Sequence, residues 1–97
     1  MTYIVEKTEI FEKWVTSIRD IRTKVAILRR VVRAENGNLG DHKSLGNGIS
    51  EMRIDIGPGY RVYFTLREKR IVFLLNGGNK SSQQSDIKQA IEIAREI

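Results

Sequence analysis

The stretch that decides the fold runs from residue 49 to residue 66 and reads ISEMRIDIGPGYRVYFTL. Apolar and polar residues alternate on both sides of a glycine–proline–glycine turn, as in two half-buried strands of an antiparallel hairpin. Before the turn, Met52, Ile54 and Ile56 alternate with charged residues, and after it Val62 and Phe64 alternate with polar ones. The stretch therefore predicts a sheet that turns one face to an apolar core.

The register of this hairpin follows from counting outward if residues 57–59 form the whole loop. Directly opposed residues share a face of the sheet, so Glu51, Arg53 and Arg61 are expected on one face. A β-bulge at the glycines would shift the pairing. The expected pairs are Ile56 with Tyr60, Asp55 with Arg61, Arg53 with Tyr63 and Glu51 with Thr65.

The rest of the chain predicts an α+β fold: a small, mostly antiparallel sheet packed by an N-terminal helical hairpin and a C-terminal helix. Residues 2–6, 41–45 and 71–75 favour strands, so the order is β-α-α followed by three or four strands and a helix. Apolar spacing predicts helices over residues 8–21 and 22–34, and a last helix near Ser81, which has capping-box spacing to Gln84. The glycine-rich residues 76–79 are expected to form a turn carrying Lys80. The predicted buried residues of the second helix are Val25, Leu28, Val31 and Val32.

Length and composition narrow the class of protein. The chain has 97 residues, which predicts a single domain over residues 1–97. No apolar stretch resembles a membrane span or a signal peptide, so we expect a cytoplasmic protein without a membrane partner. The chain has no cysteine and one histidine, so neither a disulfide nor a zinc site is expected, and no cofactor.

The positive charge is concentrated in one segment. The net charge is +5, and residues 19–33 carry all of it, with Asp20 as their only acidic residue. Such a concentration predicts a surface that meets a polyanion, although a solvated helix face is about as common. The basic residues of this segment are Arg19, Arg22, Lys24, Arg29, Arg30 and Arg33.

The strand ends gather cations that suit chemistry on a phosphodiester. A tight hairpin tip that pairs Arg67 with Arg70 would bring Arg61 near Asn76 and therefore near Lys80. Cations of this kind can stabilise a pentacoordinate phosphorus while the 2′-OH of RNA attacks, without a metal ion. The competing interpretation is structural, with Asp55 and Arg61 as a surface ion pair and Lys80 as a turn lysine.

Four linked motifs resemble a known family over nearly the whole chain. The chain is similar to the RelE/HigB superfamily of bacterial toxins, and most closely to its Gp49-like group, the addiction module killer proteins. The motifs are GNLGDHKSL at residues 37–45, GISEMRI at 48–54, GPGYRVYF at 57–64 and LLNGGNKSSQ at 74–83.

The resemblance implies the toxin of a type II toxin–antitoxin pair. It implies a RelE-like fold, an endoribonuclease that cuts mRNA on the ribosome, and inhibition of translation. It also implies a cognate antitoxin of the helix-turn-helix type, through which the toxin would reach operator DNA.

The resemblance also implies roles for individual residues. Arg61 matches the arginine that stabilises the phosphate, and Lys80 matches a later basic position. Arg53 and Glu51 lie on the strand where RelE carries two lysines, so Arg53 would assist and Glu51 would be the candidate base. The catalytic tyrosine of RelE has no counterpart, since Asp86 and Ile87 occupy that segment. The expected RNA-binding residues are Lys43, Arg22, Arg29, Arg30 and Arg33.

Two functions remain open at this point. The first is the RNA-cleaving toxin. The second is a non-catalytic RNA-binding module, or an inactive toxin relic that acts in operon regulation.

Overall fold

The alternating segments of the chain's second half form the centre of a five-stranded sheet in the computed structural model, which describes residues 2–97. The order across the sheet is β1-β5-β4-β3-β2, with β1 parallel to β5 and all other neighbours antiparallel. The predicted α+β class and the order of elements are confirmed. No helix in the described range is long and apolar enough to span a bilayer. The elements are β1 Ile4–Lys7, α1 Glu9–Ser17, α2 Ile21–Glu35, β2 His42–Gly46, β3 Ile49–Ile54, β4 Tyr60–Arg67, β5 Ile71–Asn79, a 3₁₀ turn Lys80–Ser82, and α3 Gln83–Arg95.

Helices cover both faces of the sheet. The larger core includes side chains of α1 and α2, such as Phe11 and Ile27, with Val62 and Phe64 of β4. The smaller core lies under α3 and includes Tyr63, which stands between Val62 and Phe64 in β4. Successive side chains of a strand point to opposite faces of the sheet. The alternate side chains of β4 therefore enter the two different cores.

The buried side of α2 differs from the prediction. Val31 is buried as expected, but Val25, Leu28 and Val32 are 40–53% exposed. The side that faces the sheet instead carries Thr23, Ile27, Val31 and Ala34. Thr23 can be buried because its hydroxyl donates to Asp20 Oδ2 at 2.9 Å, and the same carboxylate caps the helix through the amide of Arg22.

The glycines expected to form a turn before Lys80 lie inside β5. A Cβ on Gly77 would fall 2.3 Å from the Trp14 ring, and a Cβ on Gly78 would fall 1.9 Å from Asp86 Oδ2. The predicted turn is therefore wrong. The Trp14 ring of α1 leaves no room for a side chain at Gly77, and a side chain at Gly78 would require the Asp86 carboxylate of α3 to move.

The register of the β3–β4 hairpin differs from the prediction by two residues. Arg53 lies opposite Arg61 and Glu51 opposite Tyr63. The last pair is Ile54 with Tyr60, so the loop consists of residues 55–59, and Gly57 and Gly59 within it take positive φ values of 55° and 84°. A shift by two keeps every side chain on its expected face.

The β4–β5 pairing also differs by two residues at the site. Arg67 lies opposite Ile71 rather than Arg70, and a bulge follows Tyr63. Arg61 consequently lies opposite Gly78 instead of Asn76, which brings it closer along the strand to Lys80.

The last helix begins two residues after the predicted start. The capping box of Ser81 and Gln84 does not form. Asn79 Oδ1 instead accepts from the amide of Ser81 at 2.9 Å, which starts the 3₁₀ turn, and α3 begins at Gln83.

Candidate functional site

Two rows of residues cross the sheet on the face that α3 covers. Directly opposed residues share a face, so the registers of β2 to β5 define each row. One row is Lys43, Glu51, Tyr63 and Asn76, and the other is Arg53, Arg61 and Gly78. The structure thus brings four of the predicted site residues together: Lys43, Glu51, Arg53 and Arg61.

Arg61 is backed by a buried carboxylate. Oε1 of Glu51 lies 3.6 Å from Nε of Arg61, and the two side chains are 3% and 15% exposed. Nε2 of Gln83 donates to the same oxygen at 3.3 Å, which ties the first residue of α3 to the pair. The guanidinium of Arg61 donates none of the side-chain hydrogen bonds found among residues 2–97, so its Nη atoms keep their donors for an anion.

Lys80 has a fixed backbone and an exposed side chain. Its amide donates to the carbonyl of Gly59 at 2.9 Å, which joins the start of the 3₁₀ turn to the loop before β4. The preceding pair is Tyr60 with Asn79, so Lys80 follows directly after the end of the ladder that contains Arg61. Its ammonium group forms no ion pair within the described part of the chain.

Arg53 is engaged at the edge of this site. Its Nη2 donates to Asp41 Oδ1 at 2.9 Å, and the two side chains are about half exposed. The predicted surface pair of Asp55 with Arg61 is absent from the ion pairs of residues 2–97, where Arg61 pairs with Glu51. An exposed pair contributes less than about 1 kcal/mol, so Asp41 holds Arg53 only weakly.

The basic residues of α2 lie on the opposite face of the sheet from Arg61. Arg30 differs from its neighbours because its guanidinium donates to the carbonyls of Leu39, Asp41 and Arg53 at 2.6–3.0 Å. Burial lowers the pKa of Arg30, the charge of Arg33 lowers it further, and Asp41 opposes both. Arg30 therefore joins α2 to the ends of β2 and β3, and these contacts occupy the Nη atoms that an RNA contact would need. Arg22, Arg29 and Arg33 are exposed, and their RNA-binding role stays a prediction.

Two buried polar residues complete the cluster, and sequence reasoning gave neither a role in it. Tyr63 is fully buried, and burial, followed by the carboxylates of Asp86 and Glu51, raises its pKa to about 12 against the opposing effect of Arg61. Asn76 donates to the carbonyl of Asp86 at 3.0 Å and to Oε1 of Gln89 at 2.9 Å, which anchors α3. In the sequence, Asn76 could have been singled out as the polar residue that directly follows the five apolar residues at the start of β5.

A cluster of this composition can bind an anion. Arg61 and Lys43 share one face of the sheet with the buried carboxylate of Glu51, and Lys80 lies just beyond the end of the same ladder. Among residues 2–97, no three His, Cys, Asp or Glu side chains come together as metal ligands. His42 lies opposite Met52, on the other face of the sheet, and contacts the carbonyl of Gly40.

The sequence matches one family model over most of its length and one relative over all of it. The model for phage-derived proteins of the Gp49-like kind matches residues 15–97. A protein of Haemophilus influenzae, described only as uncharacterized, is 44% identical over 100% of this chain and 98% of its own length.

Two solved structures share the fold at 18% sequence identity. The first is a mutant of the Escherichia coli toxin RelE in the free state, with a TM-score of 0.73 over 95% of this chain and 97% of that chain. The second is the RelBE2 toxin–antitoxin complex of Mycobacterium tuberculosis, with a TM-score of 0.66 over 82% of this chain and 100% of that chain. The predicted RelE-like fold is confirmed.

Proposed function

This chain belongs to the family of phage-derived Gp49-like proteins, and we propose that it is a toxin that cleaves RNA at a phosphate bound by Arg61. The observation that carries the proposal is the Arg61 guanidinium, backed by the buried Glu51 carboxylate at 3.6 Å. A planar guanidinium can hold two phosphate oxygens at once, and a fixed one needs no reorganisation as charge develops on them. The RelE-like fold supports the same proposal.

The proposed cleavage uses the 2′-OH of the RNA as the nucleophile. The 2′ hydroxyl gives its proton to a solvent water as the 2′ oxygen bonds to phosphorus, and the bond from phosphorus to the 5′ oxygen breaks as that oxygen takes a proton from water, which leaves a 2′,3′-cyclic phosphate and a 5′ hydroxyl. Arg61 and Lys80 stabilise the negative charge on the pentacoordinate phosphorus, and Arg53 joins them once it leaves Asp41. Lys43, on the same face, contacts a neighbouring phosphate.

Glu51 is proposed to position Arg61 rather than to remove the 2′ proton. Its side chain is 3% exposed, and Oε1 already faces Arg61 and Gln83. A general base must come within hydrogen-bond distance of the proton that it removes. A substrate hydroxyl would have to displace one of these partners to reach Glu51. The base role expected from the sequence is therefore the weaker of the two hypotheses.

A protein antitoxin is the proposed partner, since one structural neighbour was solved as a toxin–antitoxin complex. We propose an antitoxin of the helix-turn-helix type that neutralises this chain in the cytoplasm and connects it to operator DNA. The target would be mRNA on the ribosome. The alternative is an RNA-binding module without activity, which would retain RNA binding by the same cations.

Growth and RNA assays together test the proposal. Induction of the wild-type protein in a bacterial host is expected to arrest growth, and Arg61→Lys is expected to relieve the arrest because an ammonium cannot form the two-pronged contact. Arg70→Lys, at the exposed tip between β4 and β5, is the matched control. Purified wild-type protein should cut labelled mRNA bound to ribosomes, and any cleavage of free RNA should persist in EDTA. RNA binding without cleavage, in assays with and without ribosomes, would favour the alternative.

A further inference from the structure

An unexplained apolar row lies along the outer side of α2. Ile21, Val25, Leu28 and Val32 are 69%, 40%, 41% and 53% exposed. Their spacing of four, three and four residues places them on one side of the helix, over a length of about 17 Å. None of the four belongs to either core or to the partly buried residues that pack against the cores. Four aligned aliphatic residues left to solvent mark a contact surface more strongly than scattered ones would.

A groove borders this apolar row. Leu28 forms one wall of a groove of about 290 Å³ between α1 and α2, whose other lining residues include Phe11, Val15 and Thr16. The apolar row therefore continues into a depression that can receive an apolar side chain. A helix that binds along α2 could pack against the apolar row and place one of its apolar side chains in the groove.

A row of arginines runs beside the apolar row. Arg22, Arg29 and Arg33 each follow a residue of the apolar row by one position, so they lie about 100° further round the helix. All three are exposed, and none belongs to an ion pair within residues 2–97. The occupant of this surface should therefore carry acidic residues along one edge of its apolar side.

These features favour a protein helix over RNA or a membrane. RNA would use the arginines but leave the aliphatic row bare, and that row has no aromatic residue for base stacking. Helices that lie in a membrane surface combine a basic side with bulky Trp, Phe and Leu residues. The row on α2 is short and mostly β-branched, which suits packing against another helix.

We propose that α2 is the docking surface for an acidic amphipathic helix of the antitoxin. This inference rests on the proposed function, because it takes the antitoxin as the partner. The surface lies on the opposite side of the sheet from Arg61. The antitoxin can therefore be held by α2 whether or not the phosphate site is intact.

The test measures binding to the protein encoded by the neighbouring gene, by calorimetry with the full chain carrying Arg61→Lys to limit toxicity. Leu28→Ser is expected to weaken binding about tenfold. Leu66→Ser is the matched control, because Leu66 has the same 41% exposure on β4. Arg29→Gln should weaken binding and lower its salt dependence, whereas Arg95→Gln on α3 should not. Ile21→Ser, at 69% exposure, repeats the test at a site with little effect on folding.

The outcomes separate this inference from the proposed function. Equal affinities of the Leu28→Ser and Leu66→Ser variants for the partner would overturn the docking surface. So would the failure of a chain with an unsubstituted α2 to bind the partner at all. A loss of affinity for single-stranded RNA or for phosphatidylglycerol vesicles in the Leu28→Ser variant, with partner binding unchanged, would also overturn it. RNA cleavage by the free chain tests the proposed function and does not depend on any of these results.

Discussion

The carboxylate of Glu51 faces the guanidinium of Arg61 across 3.6 Å, and neither side chain is more than 15% exposed. Gln83, the first residue of α3, donates to the same carboxylate, so the sheet and the helix both determine where Arg61 lies. A charged pair at such burial is costly unless both members have partners. The Nη atoms of Arg61 are the part of the pair left to meet a phosphate.

Replacing Glu51 by glutamine separates the two roles considered for it. Glu51→Gln keeps the shape and an acceptor for Gln83 but removes the charge that orients Arg61. We expect RNA cleavage to slow about tenfold with an unchanged pH–rate profile, which corresponds to about 1.4 kcal/mol. The control is Glu92→Gln on the exposed side of α3. A loss above about a hundredfold, with one limb of the profile removed, would identify Glu51 as the base.

Lys80 is expected to contact a phosphate directly, and salt dependence measures such contacts. Lys80→Ala should raise the Kd for single-stranded RNA and reduce the slope of log K against log salt by about 0.7. Lys7→Ala, which removes an exposed lysine from β1, should leave the slope unchanged. Identical slopes for wild type and Lys80→Ala would show that Lys80 does not contact a phosphate of the bound RNA.

Gly77 is expected to be intolerant of any side chain because of Trp14. A Cβ there would lie 2.3 Å from the indole ring, so Gly77→Ala should destabilise the protein by about 1–3 kcal/mol in urea unfolding. The cost should shrink when Trp14 is replaced by leucine, since the clash is then relieved. Equal costs in both backgrounds would show that the indole is not the obstacle.

Tyr63 should make stability fall at high pH. Its folded pKa of about 12 exceeds the value of about 10 for an unfolded tyrosine, so the folded state holds the proton more tightly. The contribution is complete below about pH 10 and is lost as pH rises toward 12, by up to about 3 kcal/mol. Urea unfolding between pH 9 and pH 11.5 should therefore show a smaller decline for Tyr63→Phe than for wild type. Parallel declines would contradict the buried, neutral phenol.

The fold was predictable because its signals are periodic and local. Alternation around Gly57–Gly59 sorted Val62 and Arg61 to opposite faces, and an even error in register left that sorting intact. The bulge after Tyr63 leaves no such signal in the sequence, because it depends on how β4 and β5 pack between two helical layers.

The cations of the site could be predicted from the sequence, but the residues that hold α3 and the cations in place could not. Arg61 and Lys80 flank glycine motifs that can be recognised from the sequence. The roles of Gln83 and Asn76 depend on where α3 lies against the sheet, which single-sequence periodicity does not determine. The prediction for the buried side of α2 was wrong because both sides carry apolar residues at helical spacing, and the hydrogen bond from Thr23 to Asp20 allows this polar residue to lie on the buried side.

The central claim is that this chain cuts RNA through Arg61. Primer extension on cellular mRNA, shortly after induction, tests it most directly with wild type, Arg61→Lys and Arg70→Lys at equal expression. We expect discrete new 5′ ends with wild type and Arg70→Lys, and none with Arg61→Lys. The same new ends in all three strains, or none in any strain whose growth arrests, would contradict the claim.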